Sequence, residues 1–406
     1  MQRHVKFDWF AGGVTAPCGF SAAGIQAGIK QGKKDMALIV ADRPSAAAGV
    51  FTVNSVKAAP VILCRQHLQK SRSARAIIVN SGNANACTGR KGSADAESMA
   101  AAAGAALKIN PAQVLVCSTG TIGIPLPMQK IKSGINLAVK SLSRNGGNDA
   151  ARAIMTTDTM PKQVAVRLRL GGKKITIGAI AKGAGMIAPN MATLLVFITT
   201  DAAIESSALQ AALSAAVDLS FNRILVDGDQ STNDTVLCLA NGLAGNKSLT
   251  KTMPDWAIFK SALTAVCQKL AYLIVKDGEG VTKVVRIAVR GGKNQAGAEK
   301  VARSIARSML VKTSWFGADP NWGRVICAVG YSGAEIVPDK INIHYNGQAA
   351  VINGQSAGLS PDKLHKIISG KEFTIEVNLR QGKAAYSMLT CDCSLEYVRI
   401  NADYMT

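Results

Sequence analysis

Five short segments concentrate Gly, Ser, Thr, Asn and Asp: NSGNANACTG (80–89), STGTIG (118–123), KGAGMIAPNMAT (182–193), VDGDQSTNDT (226–235) and FGADPNWGR (316–324). Each follows or ends an apolar stretch, where a rigid strand hands over to a loop that can carry function. Any one alone reads as a turn, since Gly and Asn adopt positive φ cheaply; five together point to an enzyme. Nucleophile chemistry fits them best. The four histidines (His4, His67, His344, His365) are far apart and outside all five blocks, so a Ser-His-Asp or Cys-His device is not expected. A threonine can instead be activated by its own α-amino group once the chain is cut immediately before it. That amine has an ordinary pKa of about 7.7–8.0, so part of it is free base at neutral pH. Thr193 suits this role: it follows the small Ala192, ends a Gly/Pro-constrained loop and leads into the apolar run Leu194–Ile198. Tight loops can store backbone strain, and strain assists an N-to-O acyl shift.

The same loop imitates a dinucleotide fingerprint, because Gly183 to Ala188 reads G-x-G-x-x-A after the apolar run Ile175–Ile180. The fingerprint needs a helix opening at the glycines and an acidic residue about 20 positions on. Pro189 and the β-rich run after Thr193 predict strand, turn, strand, so a nicotinamide cofactor is not expected. A phosphate-binding loop fails too, as neither Gly172-Lys173 nor Gly292-Lys293 has the spaced second Gly and the following Ser/Thr. The nine cysteines contain no CxxC; only Cys391 and Cys393 are close together. Reduced, buried thiols and no metal are the expectation.

The elements that must position these loops alternate along the chain. Residues 76–80 and 113–117 read as short buried strands around an alanine-rich helix, Ser93 to Leu107, that Asn110-Pro111 cannot continue. Phe259, Leu263, Val266 and Leu270 form one helix face after Pro254-Asp255; Val301, Ile305 and Met309 mark another. Ser360-Pro361 opens a helix that stops before Gly370, followed by the alternating strand Phe373-Ile375-Val377-Leu379. Ile341, Ile343 and Tyr345 run into the Asn346-Gly347 hairpin turn. The 406 residues are 48% hydrophobic and 18% charged, which excludes a disordered chain. There are 47 Lys+Arg against 26 Asp+Glu, a formal charge of +21, yet the basic residues are scattered. The densest clusters, at 30–35 and 290–293, interleave no aromatics, so nucleic-acid binding is only a remote reading. No run reaches the roughly 18–20 apolar residues of a membrane span. The start, MQRHVKFDWFAGG, lacks an apolar signal core. A cytoplasmic protein without membrane or nucleic-acid partners is expected, with no low-complexity linker between domains.

KGAGMIAPNMATLL resembles the processing signature of the ornithine acetyltransferase family, the arginine biosynthesis bifunctional proteins (glutamate N-acetyltransferase). The resemblance covers nearly the whole chain, through VTAPCGFSAAGI, NSGNANACTG, STGTIG, MTTDTMPK, VDGDQSTNDT, KDGEG, FGADPNWGR and YVRINADYMT. It implies the DmpA/ornithine acetyltransferase-like α/β sandwich, similar in logic to N-terminal nucleophile hydrolases but different in connectivity. Self-cleavage between Ala192 and Thr193 is implied, giving an α chain of 1–192 and a β chain of 193–406 within one intertwined structural unit, with an α2β2 heterotetramer as the assembly.

The resemblance also implies roles. Thr193 matches the nucleophile, Thr119 and Gly120 the oxyanion-hole pair, and Lys182 the active-site lysine. Thr156, Lys182, Thr193, Glu279, Asn401 and Thr406 match substrate-binding positions, Glu279 facing the ornithine δ-ammonium, with Thr157 beside Thr156 as a rival. Leu194 and Met160 replace residues that are often Met and Phe in the family. The implied activity is acetyl transfer from N2-acetyl-L-ornithine to L-glutamate through an acetyl-Thr193 enzyme in arginine biosynthesis. No cofactor is implied, although acetyl-CoA is a substrate for the bifunctional members. An amidohydrolase or aminopeptidase using the same threonine is the alternative. Tyr397, Val398 and Ile400 are expected to dock the C-terminal segment, bringing Asn401 and Thr406 to the substrate.

Overall fold

The computed structural model describes residues 7–188 and 194–403. Nine strands share one hydrogen-bonded sheet: β1 (Asp8–Phe10), β2 (Phe20–Ile25), β3 (Met36–Phe51), β4 (Ser73–Asn83), β5 (Val114–Thr121), β6 (Lys162–Leu170), β7 (Lys173–Lys182), β8 (Leu195–Thr200) and β9 (Thr235–Ala240). Its order is β1-β6-β7-β8-β9-β3-β4-β5, with β2 also on β3. Helices α1 (Ala59–Lys70), α2 (Gly89–Leu107), α3 (Met128–Lys140), α4 (Gly147–Ala153), α5 (Ser206–Asp218) and α6 (Pro254–Lys276) belong with this sheet.

β3 turns the corner that makes a sandwich. Met36 to Ala41 pair with β2 and Ala46 to Phe51 with β9, while β4 pairs with both parts, its register breaking between Val40 and Ser45. A strand that switches partners through such an irregularity passes from one layer to the next. The period-two pattern of the strands confirms two layers. Leu195 and Phe197, Leu237 and Leu239, Ile77 and Val79 share one inner core. The residues between them face outward: Val196, Ile198 and Val236 against α5 and α6, Ile78 and Val116 against α2 and α3. The order is helices, sheet, sheet, helices. Strands buried on both faces read as continuous apolar runs, as 194–198 does.

A second sheet follows, with strands β10 (Val284–Gly292), β11 (Asn342–Tyr345), β12 (Gln348–Ile352), β13 (Gln355–Ser356), β14 (Glu372–Asn378) and β15 (Ala384–Cys391) in the order β13-β12-β11-β14-β10-β15. Helices α7 (Gln295–Arg307), α8 (Met309–Phe316), α9 (Trp322–Gly330) and α10 (Pro361–Ile368) close over a core of their own that holds Trp315, Tyr345 and Phe373. No composition shift announces this unit, because the Ile224–Leu389 bridge and the contact of α6 with β15 join it without a linker. The last helix is α11 (Leu395–Asp403).

Three expectations change. Met309 does not extend the Val301–Ile305 face: Ser308 is extended (φ −67°, ψ 110°) and its hydroxyl caps Val311 N–H, so a new helix starts there. Cys18, Cys87 and Cys327 are exposed, the other six cysteines buried. One helix among the described residues, α6, is long and apolar enough to cross a membrane; here its Phe259, Leu263, Val266 and Leu270 face pack against α5 and β6.

Candidate active site

β4 and β5 run parallel and end side by side, with Gly82 opposite Gly120. Gly120 has φ +129°, and a Cβ there would lie 2.4 Å from the Gly82 carbonyl carbon. Only glycine allows the two strand ends to approach this closely. Side chains of the other blocks brace the loop. Ser118 donates to Asn80 Oδ1 (2.6 Å), and Asn233 Nδ2 donates to the carbonyls of Ala84 (2.6 Å) and Ser118 (2.8 Å). The next residue, Thr119, is buried and its Oγ1 accepts from Lys182 Nζ at 3.3 Å. Lys182 engages one lone pair of the Thr119 hydroxyl, whose O–H can still donate.

Lys182 ends β7, opposite Leu195 of β8. Burial lowers its pKa, and the neighbouring carboxylates of Asp158, Asp234 and Glu279 act against that shift. Beneath it lies a buried chain of charge. Asp158 accepts from Lys162 Nζ (2.6 Å) and Gly183 N–H (2.7 Å) on one oxygen and from Thr156 N–H (3.0 Å) on the other. Lys162 Nζ also reaches Asp277 (2.5 Å), which in turn binds the backbone and hydroxyl of Thr159. Burial alone would raise the Asp158 pKa; Lys162, Lys182 and the Gly183 amide outweigh it and hold the carboxyl below its usual range. One carboxylate thus fixes the Thr156 loop to the Lys182-Gly183 corner, and Lys162 ties both to the turn that carries Glu279.

Glu279 accepts from Asn401 Nδ2 at 2.8 Å. It lies against Gly185, where a Cβ would sit 2.4 Å from its carboxylate oxygen. Asp227 cradles the next two residues of that loop, accepting from Met186 N–H (2.5 Å) and Ile187 N–H (2.8 Å), and burial pushes its pKa up to about 6. Thr119, Gly120, Lys182, Glu279 and Asn401 all line one cavity of about 220 Å³. Thr156 and Thr157 both line it. Its rim adds Asp227 and Asp229, so a chain of formal charge +21 surrounds this cavity with three carboxylates and one lysine. That polarity suits a small ligand with a cationic end.

Ala192, Thr193 and Thr406 lie outside the described residues. What is described beside Thr193 is Leu194, gripped at both backbone groups: its N–H donates to Asp234 Oδ1 (3.0 Å) and its carbonyl accepts from Thr235 N–H (3.1 Å). Four of the five blocks therefore meet. The fifth does not: FGADPNWGR joins α8 to α9, where Asn321 caps Arg324 N–H and the Ala318 carbonyl accepts from His365 Nδ1, the ordinary work of a turn. The C-terminal docking also differs. Tyr397 and Asn401, one turn apart on α11, face the cavity, whereas Val398 points away and is 61% exposed. Sequence reasoning missed Asp158, Lys162, Asp277, Asn233 and Asp234; Asp158 and Lys162 stand four apart across a bend and the start of β6, not on a helix, so no helical pairing rule announces them. No group of three or more His, Cys, Asp or Glu among the described residues is placed to hold a metal ion. A larger cavity, about 970 Å³, lies between β6, α6 and β15 and touches none of the Gly-rich blocks.

A layered α/β sandwich with a buried hydroxyl beside a lysine, at strand ends, suits an acyl-transfer enzyme. The chain belongs to the ArgJ family, which matches residues 21–406. It is 49% identical over 402 residues to the arginine biosynthesis bifunctional protein ArgJ of Symbiobacterium thermophilum, covering 98% of this chain and 100% of that one. The Bacillus subtilis ArgJ is 44% identical over 395 residues, 97% of each chain. Among solved structures, the ornithine acetyltransferase of Mycobacterium tuberculosis complexed with ornithine is 47% identical, with TM-score 0.43, covering 47% of this chain and 100% of that one.

Proposed function

We propose that the chain transfers an acetyl group from N2-acetyl-L-ornithine to L-glutamate through an acetyl-Thr193 enzyme, after cutting itself between Ala192 and Thr193. The convergence of Thr119, Gly120 and Lys182 with Glu279 and Asn401 on one small cavity carries this reading. In the transfer, the free amine of Thr193 takes the Oγ proton as Oγ attacks the acetyl carbonyl. The Thr119 hydroxyl and Gly120 N–H receive the developing oxyanion, a donor pair of which each member is worth about 3–4 kcal/mol. Glu279, fixed by Asn401, takes the cationic end of ornithine, while Thr156, Lys182 and Thr406 hold the carboxylate end. The Thr193 amine passes the Oγ proton to the ornithine α-nitrogen as the acetyl C–N bond breaks and ornithine leaves. The free α-amine of glutamate then attacks the acetyl-Thr193 carbonyl, its proton returning to Oγ as the ester bond breaks. Use of acetyl-CoA as a second donor fits the bifunctional character named for the relatives, and an α2β2 assembly of the two fragments completes the proposal.

The test follows acetylornithine consumption with and without glutamate, then replaces acetylornithine by acetyl-CoA. Consumption should require glutamate and follow parallel double-reciprocal lines, with acetyl found on Thr193 by mass spectrometry when acetylornithine is supplied alone. Equal consumption without an acceptor would make the enzyme an amidohydrolase.

A further inference from the structure

Ornithine and glutamate share an α-amine and an α-carboxylate and differ at the far end, an ammonium in one and a carboxylate in the other. Among the described residues, the cavity above offers three carboxylates to the first and no cation except Lys182 to the second. A side-chain carboxylate set against Glu279, Asp227 and Asp229 is repelled, so the acceptor needs a cation that the donor does not use.

A second chamber of about 210 Å³ adjoins the first, sharing Asp227, Asp229, Glu279 and Tyr397 as walls. The cation that lines it is Lys312 of α8, only 2% exposed. Lys312 Nζ donates to the Cys391 carbonyl (2.5 Å) and the Thr390 hydroxyl (3.2 Å), with the Cys391 sulfur at 3.6 Å. No carboxylate among the described residues pairs with it. A buried ammonium without an anion is costly and calls for a function. Two of the chamber's carboxylates are engaged by the backbone instead. Asp392 accepts from the N–H groups of Thr282 and Lys283 (3.0 Å each) and from the Thr282 hydroxyl; Asp227 accepts from Met186, Ile187 and Asp229 N–H. The charge of Lys312 reaches the chamber wall: burial raises the pKa of the Cys393 thiol, and Lys312 acts against that rise.

We propose that Lys312 is the specificity residue for the acceptor, taking the side-chain carboxylate of glutamate in the second chamber once ornithine has left; the inference rests on the transfer proposed above. Glu279, held by Asn401, then serves the donor, and Lys312 serves the acceptor. One nucleophile can thus exchange an acetyl group between two amino acids whose far ends carry opposite charges.

The experiment loads the full-length, cut protein from acetylornithine and follows loss of acetyl by intact mass after adding glutamate, glutamine or ornithine. Glutamine is the acceptor without its side-chain charge, and ornithine reads the return to donor. Wild type should be discharged about 100-fold faster by glutamate than by glutamine at equal low concentration, the usual size of a lost partner in a buried charge pair. Lys312→Met should lose most of that preference while loading by acetylornithine and discharge by ornithine stay near wild type. Lys312→Arg, which keeps the charge, should recover part of the preference; Lys312→Gln, which keeps a donor for the Cys391 carbonyl, should not. A Lys312→Met enzyme with the wild-type glutamate-to-glutamine ratio overturns the proposal. So does an equal slowing with ornithine and glutamate, the mark of a purely structural lysine. Where the variants do not fold, the wild-type ratio alone still decides, and a ratio near one overturns the proposal. A wild type that never takes up acetyl overturns the transfer reading itself, a different result from these.

Discussion

Glu279 can face the cavity only because residue 185 has no side chain. Glu279 is held from the other side by Asn401, so it cannot retreat from an added methyl without breaking that 2.8 Å hydrogen bond. Gly185→Ala, with its Cβ only 2.4 Å from the carboxylate, should therefore disturb substrate recognition more than folding. Steady-state kinetics should show kcat/KM for acetylornithine down roughly 5- to 30-fold, or about 1–2 kcal/mol, chiefly through KM. An unchanged KM would mean that Glu279 does not meet the substrate. Gly120 is required twice over, by the close approach of Gly82 and by its own φ of +129°.

At the level of elements, each helix and strand end either supports the site or stands apart from it. α10 stands apart, in the second sheet unit, and its start is defined by one cap: the Ser360 hydroxyl accepts from Lys363 N–H, with Pro361 at the first helical position. Ser360→Ala should lower unfolding stability by about 1 kcal/mol and leave kcat/KM as it was, checked by denaturant unfolding beside the activity assay. A matching fall in activity would tie the second unit to the cavity more tightly than its own core suggests. β7 and β8 behave otherwise, because the loop between them carries the proposed cut and their ends hold Lys182 and Leu194.

For the whole molecule, the consequence of that position is that a cut need not part the halves. β7 pairs with β8 across it, β3 pairs with β9, and the inner core takes Ile77 and Ile180 from one side and Phe197 and Leu237 from the other. Residues so shared contribute about 1.5–3 kcal/mol each on burial, far more in sum than one peptide bond's loss of connectivity removes. The cut protein should elute from a sizing column as one species containing fragments of 192 and 214 residues, the second being 406 − 192. They should separate in denaturant alone. Fragments that elute apart in native buffer would contradict a single intertwined sheet.

The sequence by itself determined what local chemistry can fix. The Asn346-Gly347 hairpin, the Ser360 cap and the Phe259–Leu270 face follow from turn, capping and period rules that act within a few residues. Resemblance to the family's motifs marked Thr119, Gly120, Lys182, Glu279 and Asn401, and Pro189 argued against a crossover helix. The tertiary structure decided which of these loops meet. FGADPNWGR has the same composition as the other four and goes elsewhere, because composition does not say which strand end a loop follows. Lys162 and Asp277, 115 residues apart, form a buried pair that no local pattern announces. Nor could sequence reveal that Asp234 keeps one oxygen unsatisfied, since satisfaction is a property of what surrounds an atom once β8 and β9 have paired.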